Sequence, residues 1–141
     1  MKLDLITATK YAEKIAAKLS PYSEKIEVAG SIRRKRPIIN DIDLVILPSS
    51  IYALKKRCIQ SNPQILCNGK ENFSIKLKNN LQIDLYFAVS SQSTPFGPSP
   101  GNFGSLLLCR TGSEKFNIWL ASRARAMGYH WNPYSGLYQN S

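Results

Sequence analysis

The sequence has few of the residues that build zinc sites or disulfide scaffolds, and no segment suited to a membrane. Its one histidine, His130, and three widely spaced cysteines, Cys58, Cys67 and Cys109, form no CxxC or Cys/His zinc pattern. We interpret the cysteines as ordinary thiols, although a bridge between Cys58 and Cys67 is an alternative. No apolar run approaches the roughly 20 residues of a transmembrane helix, and residues 1–4 lack the apolar core of a secretory signal. We therefore expect a soluble, cytoplasmic protein without a membrane partner.

Acidic residues are also scarce. The 141 residues include 19 Lys plus Arg but only 9 Asp plus Glu, for a formal net charge of +10. Such an excess favours binding to polyanions through phosphate contacts and counterion release. Nucleic acid or a nucleotide is the favoured partner, with an anionic membrane and simple solubility as the alternatives. Since 43% of the residues are hydrophobic, the chain can bury the core of one domain.

The pattern of apolar residues over the first 87 residues predicts a helix, two strands, a second helix and then further strands. Thr7 is a candidate cap for the first helix, and Ser49 or Ser50 for the second. A turn at Asn79-Asn80 would join two strands as a hairpin. The predicted elements are a helix over 8–19, strands over 26–29 and 41–47, a helix after residue 50, and strands over 73–77 and 81–87. This order indicates an α/β (α+β) fold, in which helices pack on a mixed sheet.

The last third of the sequence differs in composition. Residues 90–104 are rich in Ser, Pro and Gly, which is typical of a linker or loop. The segment from Thr111 to Glu114 resembles a helix cap, and Gly128 is a suitable terminator. One face of the helix between them would carry Phe116, Leu120, Ala124 and Met127.

Three of the four aspartates lie inside apolar, strand-like runs, where a charge is unfavourable; the fourth is Asp4. Residues i and i+2 of a strand point to the same face, roughly 6–7 Å apart. Asp41 and Asp43 would therefore stand side by side, while Ile42, Leu44 and Ile46 face the other way. Asp84 could add a third carboxylate from a neighbouring strand.

Three carboxylates in one place would raise each other's pKa unless a cation lay between them. Oxygen ligands without thiolates select a hard ion, so the pattern predicts two Mg²⁺ or Mn²⁺ ions held by Asp41, Asp43 and Asp84. The alternative is that each aspartate caps a turn or pairs with an arginine.

A candidate phosphate site precedes this pair. Gly30-Ser31 lies at a strand end, where a tight turn can present backbone N–H groups and a hydroxyl to an anion. Arg33 and Arg34 follow, and guanidinium groups bind phosphate oxygens in a bidentate manner. A solvated basic loop over residues 33–37 is the alternative. Together with the carboxylates, the segment favours phosphoryl transfer, in which positioning and charge stabilisation supply most of the catalysis.

These blocks resemble the family X DNA polymerases, the DNA polymerase beta family. Residues 28–34 and 41–45 resemble its Gly-Ser, Arg-Arg and Asp-x-Asp palm motif, and 82–85 resembles the strand with its third metal-binding aspartate. Residues 111–117 are similar to the motif that opens its C-terminal nucleotide-binding subdomain, and 129–137 to the segment after that subdomain's first helix. The resemblance implies a nucleotidyltransferase palm over 1–89, a linker over 90–104 and a small helical/β C-terminal subdomain over 105–141.

The resemblance also implies roles for individual residues. Asp41 and Asp43 would hold both ions, and Asp84 would complete the catalytic one. Gly30, Ser31 and Arg34 would hold the triphosphate of a deoxynucleotide, and Gly112 and Asn117 would contact its sugar and base. The candidates for contact with the backbone of primer-template or gapped DNA are Arg33, Lys35, Arg36, Arg123 and Arg125.

The chain departs from the family's pattern at several points. The usual N-terminal lyase domain and helix-hairpin-helix clamp have no counterpart in these 141 residues, so a lyase activity is not expected. Cys109-Arg110 replaces an aromatic pair that monitors the sugar, so the resemblance does not imply discrimination against ribonucleotides. Gln82 and Ala121 stand where relatives often carry arginine, which points to low fidelity.

The sequence leads to one main functional hypothesis and two rivals. The main one is a DNA-directed DNA polymerase that fills short gaps during repair. The first rival is a nucleotidyltransferase that works without a template or modifies RNA or a small molecule. The second is a non-catalytic, basic nucleic-acid-binding module. Protein partners are not indicated by any motif.

Overall fold

The computed structural model describes residues 2–99 and 101–139. Each of the three predicted divisions of the chain therefore includes residues outside the described part, namely Met1, Pro100, Asn140 and Ser141. The division itself remains a prediction.

The described part of the chain forms strands and helices. The strands are β1 (Leu3–Asp4), β2 (Ser23–Val28), β3 (Ile38–Ile39), β4 (Asp41–Pro48), β5 (Gln64–Asn68), β6 (Asn72–Lys76), β7 (Gln82–Phe87), β8 (Gln92–Thr94), β9 (Gly97–Ser99), β10 (Tyr129–Asn132) and β11 (Gly136–Gln139). The helices are α1 (Leu5–Leu19), α2 (Gly30–Arg33), α3 (Ile51–Ile59), α4 (Phe103–Thr111) and α5 (Glu114–Ala126), with a short 3₁₀ turn over Ser20–Tyr22.

A five-stranded mixed sheet organises the fold. Its strand order is β2-β4-β7-β6-β5, with β4 and β7 parallel and every other pair antiparallel. The predicted α/β class and the predicted hairpin of β6 and β7 are confirmed, and Asn80 has the positive φ that its turn requires. The edge strand β5 was not predicted, because its sequence of Gln, Ile, Leu, Cys and Asn shows no alternation of apolar and polar residues.

The larger core lies on one face of the sheet. Ile42, Leu44 and Ile46 of β4 are fully buried there and pack with residues of α1 and α3 such as Ala12 and Leu54. The opposite face carries a smaller cluster built from Ala29, Val45, Ala88 and Leu106. Since side chains alternate along a strand, β4 places its aspartates on this second face.

The helix ends follow capping chemistry, with one correction. Helix α1 starts at Leu5, and the Asp4 carboxylate accepts a hydrogen bond of 2.7 Å from the Thr7 N–H. The prediction of Thr7 as the cap is therefore wrong, since a carboxylate three residues earlier already satisfies that donor. Ser50 and Ser113 cap α3 and α5 as predicted. Gly128 follows α5 with φ of 82°, whereas Met127 is 60% exposed and does not extend its packed face.

The segment predicted as a linker contains regular structure. Strands β8 and β9 pair as an antiparallel ribbon, and α4 begins at Phe103. Helix α4 buries Leu106 in the smaller cluster, against the aspartate face of the sheet. It was not predicted because Leu106, Leu107 and Leu108 form a continuous apolar run without helical spacing. None of the helices within 2–99 and 101–139 combines the length and hydropathy needed to cross a bilayer.

Candidate active site

Two neighbouring strands bring the three predicted aspartates to one face of the sheet. Parallel pairing places Asp43 of β4 directly opposite Asp84 of β7, and Asp41 opposite Gln82. Asp84 is buried, with 8% of its surface exposed, and its Oδ1 accepts a hydrogen bond of 3.0 Å from Gln82 Nε2. The register thus creates a carboxylate pair across the strands with a third carboxylate two residues away.

Burial and mutual repulsion perturb these acids. Burial raises the pKa of Asp43 to about 7, and the carboxylates of Asp84 and Asp41 contribute to the rise. Burial also raises the pKa of Asp41, with a further contribution from Asp84. A positive charge between these groups would offset both effects. The cluster is therefore poised to attract a cation.

The donors present are suited to a hard divalent ion. All three are carboxylates, and the hard ions Mg²⁺ and Mn²⁺ prefer such oxygen ligands to thiolates. Within the described residues, however, no group of three or more His, Cys, Asp or Glu side chains is arranged as a metal site. The chemistry of the donors fits the predicted ions, whereas their use as ligands stays a prediction.

Gly30 lies against the Asp43 carboxylate. It starts α2 with φ of 62°, a conformation that favours glycine, and a Cβ at this position would overlap Asp43 Oδ2. The neighbouring Ala29 N–H donates to the Asp43 carbonyl at 2.8 Å. The Gly-Ser segment is therefore the start of a helical turn packed on the aspartates, with Ser31 in that turn and partly exposed.

Arg110 and two tyrosines border the carboxylates. The Arg110 guanidinium carbon lies 4.2 Å from the centre of the Tyr86 ring, and its Nη2 donates to the Tyr134 hydroxyl at 3.3 Å. Burial raises the pKa of Tyr86, and the charges of Asp43 and Asp84 add to this effect. Arg110 Nε is buried and has no hydrogen-bond partner among the described residues. One side of the site is therefore formed by the Arg110 guanidinium, whose Nε–H is a donor without a partner among the described residues.

The sequence did not lead us to place Tyr86 in the site, and it indicated Arg110 only as part of the Cys109-Arg110 replacement for the aromatic pair beside the sugar. The signal for Tyr86 was available, because it lies two residues after Asp84 and so points to the same face. For Arg110 the resemblance indicated a position near the sugar, but no local pattern indicated a contact with β7, since α4 is separated from β7 by the β8–β9 ribbon. The tertiary structure shows that Arg110 packs on Tyr86.

Arg34 connects the two parts of the predicted nucleotide site. Its Nη1 donates to the Thr111 carbonyl at 2.5 Å and lies beside Gly112. Arg34 and Thr111 are 77 residues apart in the sequence. Gly112 has φ of 70° and joins α4 to α5, and its peptide bond to Ser113 is cis. Gly30, Arg34 and Gly112 therefore lie in one connected region next to the carboxylates.

The side chain of Asn117 is held by a hydrogen bond to the backbone of α4. Its Nδ2 donates to the Cys109 carbonyl at 2.9 Å, while its Oδ1 is buried without a hydrogen-bond partner in the described part of the chain. Asn117 also approaches the Cys109 sulfur at 3.9 Å. All three cysteines are free thiols, so the alternative of a bridge between Cys58 and Cys67 is not realised.

The five basic residues predicted to contact nucleic acid are all exposed. Arg33 ends α2 and forms a salt bridge of 3.8 Å with Glu27, a pair too exposed to contribute much stability. Lys35 and Arg36 follow in the adjoining turn, and Arg123 and Arg125 lie in the last turn of α5. Their exposure permits contact with a polyanion, but no structural feature assigns them to one.

Comparison with solved structures shows that the chain has a DNA polymerase beta-like fold. The chain is similar to Leishmania infantum polymerase beta in a ternary gap complex, with a TM-score of 0.77 and 17% identity. It is also similar to that polymerase in a ternary P/T complex, with a TM-score of 0.74 and 16% identity. The matches cover 100% of this chain but 52% and 59% of the two polymerase chains. No family model and no curated protein matches in sequence.

Proposed function

We propose that this protein is a divalent-metal-dependent nucleotidyltransferase of the family X type that adds deoxynucleotides to a primer 3′-hydroxyl, with gap filling during DNA repair as its role. The observation that carries the proposal is the pairing of Asp43 with Asp84 on adjacent strands, with Asp41 beside them and Gly30 against them. Similarity to solved structures supports the fold on which this arrangement rests.

The carboxylates provide the reaction centre. Asp41 and Asp43 would hold two divalent ions, and Asp84 would complete the set for one of them. When bound, such ions assist deprotonation of the primer hydroxyl and neutralise the departing pyrophosphate. The primer oxygen would form a bond to the α-phosphorus as the bond to pyrophosphate breaks, and the hydroxyl proton would pass to water. No histidine base is needed, because a hydroxyl at a divalent ion loses its proton more readily.

The remaining residues would bind and orient the nucleotide. Ser31 and the Gly30 turn offer a hydroxyl and backbone N–H groups to the triphosphate, and Arg34 offers its remaining guanidinium donors. Gly112 permits close approach of the sugar. Asn117 supports this assignment, because its buried Oδ1 is an acceptor that has no hydrogen-bond partner among the described residues.

Arg110 is an additional anion-binding candidate at this site. Its buried Nε–H has no partner among the described residues, and its charge lies near Asp43. A donor buried without a partner is costly unless a ligand satisfies it. An oxygen of the incoming nucleotide would satisfy it.

Primer extension tests the proposal. The full chain is assayed on gapped and single-stranded DNA with Mg²⁺ or Mn²⁺, using deoxy- and ribonucleotides opposite each template base. We expect template-dependent addition of deoxynucleotides, lost by at least about 100-fold in Asp43→Asn, whereas Asp4→Asn, which alters only a helix cap, retains activity. Addition that ignores the template base would instead identify a template-independent transferase. The absence of any extension of DNA or RNA under either metal would leave a nucleic-acid-binding module and refute the polymerase.

A further inference from the structure

A cavity lies on the face of the sheet that points away from the aspartates. It measures about 120 Å³ and lies between the sheet and the helices α1 and α3. Its apolar lining consists of Ile15, Leu19, Ile75, Leu77, Ile83 and Leu85. Ile83 and Leu85 alternate with Asp84 along β7, so the cavity and the candidate active site use opposite faces of the same strand.

The polar part of the lining is cationic. Lys18 of α1 and Arg57 of α3 line the cavity, together with Cys58 and Ser61, and none of the described residues that line it is acidic. Arg57 donates to Gln60 Oε1 at 3.1 Å. Within residues 2–99 and 101–139, neither Lys18 nor Arg57 forms a salt bridge. Two positive charges thus stand at an apolar cavity without a carboxylate to balance them.

The thiol in the lining does not change this balance. Burial raises the pKa of Cys58 to about 11, so the group is a neutral thiol at physiological pH. Ser61 is occupied as well, since its hydroxyl donates to the Cys58 carbonyl at 3.0 Å. The net character of the cavity is therefore apolar inside with a positive margin.

We propose that this cavity binds a small amphipathic anion, an aliphatic or aromatic carboxylate whose apolar body contacts the six aliphatic side chains while its carboxylate pairs with Lys18 and Arg57. The cavity is comparable to the roughly 150 Å³ cavities that bind benzene-sized molecules. Burial of the apolar body supplies affinity, and charge complementarity selects an anion over a neutral molecule. Because none of these residues belongs to the candidate active site, the proposal is independent of the function proposed above.

Methyl NMR on the full chain tests this site directly. Hexanoate is titrated into protein labelled at the isoleucine methyls, with 1-hexanol as the neutral counterpart. We expect hexanoate to cause saturable shifts in the methyls of Ile15, Ile75 and Ile83, while the exposed Ile6 and Ile118 remain unshifted. Hexanol should bind at least about ten-fold more weakly, which is the effect of losing a charge-assisted hydrogen bond.

A double variant and a control variant test whether Lys18 and Arg57 bind the carboxylate of hexanoate. Lys18→Gln combined with Arg57→Gln should weaken hexanoate about ten-fold or more and leave hexanol unchanged. Lys14→Gln is the matched control, because Lys14 is an exposed lysine of the same helix that does not line this cavity. Non-saturable shifts, shifts centred elsewhere, or equal affinity for hexanoate and hexanol in the unaltered protein would overturn the proposal. The last comparison needs no variant, so it stands even if the double substitution fails to fold.

Discussion

The backbone of Gly30 lies so close to the Asp43 carboxylate that no side chain fits between them. A Cβ on Gly30 would overlap Asp43 Oδ2, and the residue's φ of 62° also disfavours any other amino acid. Gly30 belongs to the predicted phosphate-binding turn, whereas Asp43 belongs to the predicted metal-binding pair. The contact therefore couples the two halves of the candidate active site.

Replacing Gly30 with alanine should damage both stability and activity. We expect Gly30→Ala to lower the free energy of unfolding by about 1–3 kcal/mol, since it combines a strained φ with a steric overlap. Nucleotide addition should fall further than stability alone explains, because the overlap displaces the Asp43 carboxylate. Urea unfolding and primer extension measure the two effects. Gly104→Ala is the control, since a Cβ there meets no atom within 4 Å and alanine favours helix α4. Equal behaviour of the two variants would contradict the assigned contact.

The stability of the metal-free protein should fall as pH rises from 5 to 8. The pKa of Asp43 is about 7 in the folded protein against an ordinary value of 3.8, so the folded state binds the proton more tightly. The resulting stabilisation is fully present below about pH 4 and is lost as pH rises through 7. We expect a decrease of at least about 1 kcal/mol, measured by urea unfolding in EDTA.

The variant Asp43→Asn should remove most of this pH dependence. Asp4→Asn should preserve it, because the helix-capping hydrogen bond with Thr7 lowers the pKa of Asp4 and moves its titration below this range. Stability that is constant from pH 5 to 8 in the unaltered protein would show that burial and the neighbouring carboxylates do not raise the pKa of Asp43 as described.

Divalent ions should stabilise the protein mainly above pH 7. The pKa of Asp43 is about 7, so its carboxylate is ionised at pH 8 and protonated at pH 5. A bound Mn²⁺ or Mg²⁺ would stabilise the ionised form, so the melting temperature should rise more at pH 8. Asp84→Asn should abolish this stabilisation and nucleotide addition while DNA binding persists. The measurements are thermal melts with each ion and DNA binding by fluorescence anisotropy. A full metal response in Asp84→Asn would remove this residue from the proposed ligand set.

Substitution of Arg34 should weaken nucleotide binding, whereas substitution of Arg36 should weaken DNA binding. Both side chains are exposed, but Arg34 reaches the Thr111 carbonyl beside Gly112. We expect Arg34→Ala to raise KM for the nucleotide about ten-fold or more, as expected from loss of charge-assisted phosphate bonds. Arg36→Ala should instead weaken DNA and reduce the salt dependence of its binding. Steady-state kinetics and salt titrations distinguish them, and a shared effect on KM would argue against the specific role of Arg34.

Asn102 should contribute to stability by tying the last hairpin to the sheet. Its buried side chain accepts from the Val89 N–H at 2.8 Å and donates to the Tyr134 carbonyl at 3.2 Å. Asn102→Ala removes both bonds, leaves the partly buried Val89 N–H and Tyr134 carbonyl without this partner, and should cost about 1–3 kcal/mol in urea unfolding. Asn40→Ala, at an exposed position, should cost less than about 0.5 kcal/mol. Similar losses of unfolding free energy in both variants would show that the two Asn102 hydrogen bonds do not stabilise the fold.

The strands that carry the aspartates were predictable because strand periodicity is local. The alternation within residues 41–47 separates Asp41 and Asp43 from Ile42, Leu44 and Ile46, and the structure has the same division of faces. Helix caps were less predictable. Thr7 and Asp4 both satisfy the rules for a cap, and the choice of Asp4 depends on where the chain leaves β1.

The sequence by itself determined which side chains share a face of each strand, because the pleat places every second residue on the same side. The tertiary structure decided that β7 lies next to β4 in the register that pairs Asp43 with Asp84. It also decided that Arg110 stacks on Tyr86 and that Arg34 reaches Thr111. These contacts join residues far apart in the chain, and they depend on how whole elements pack, which no local pattern encodes.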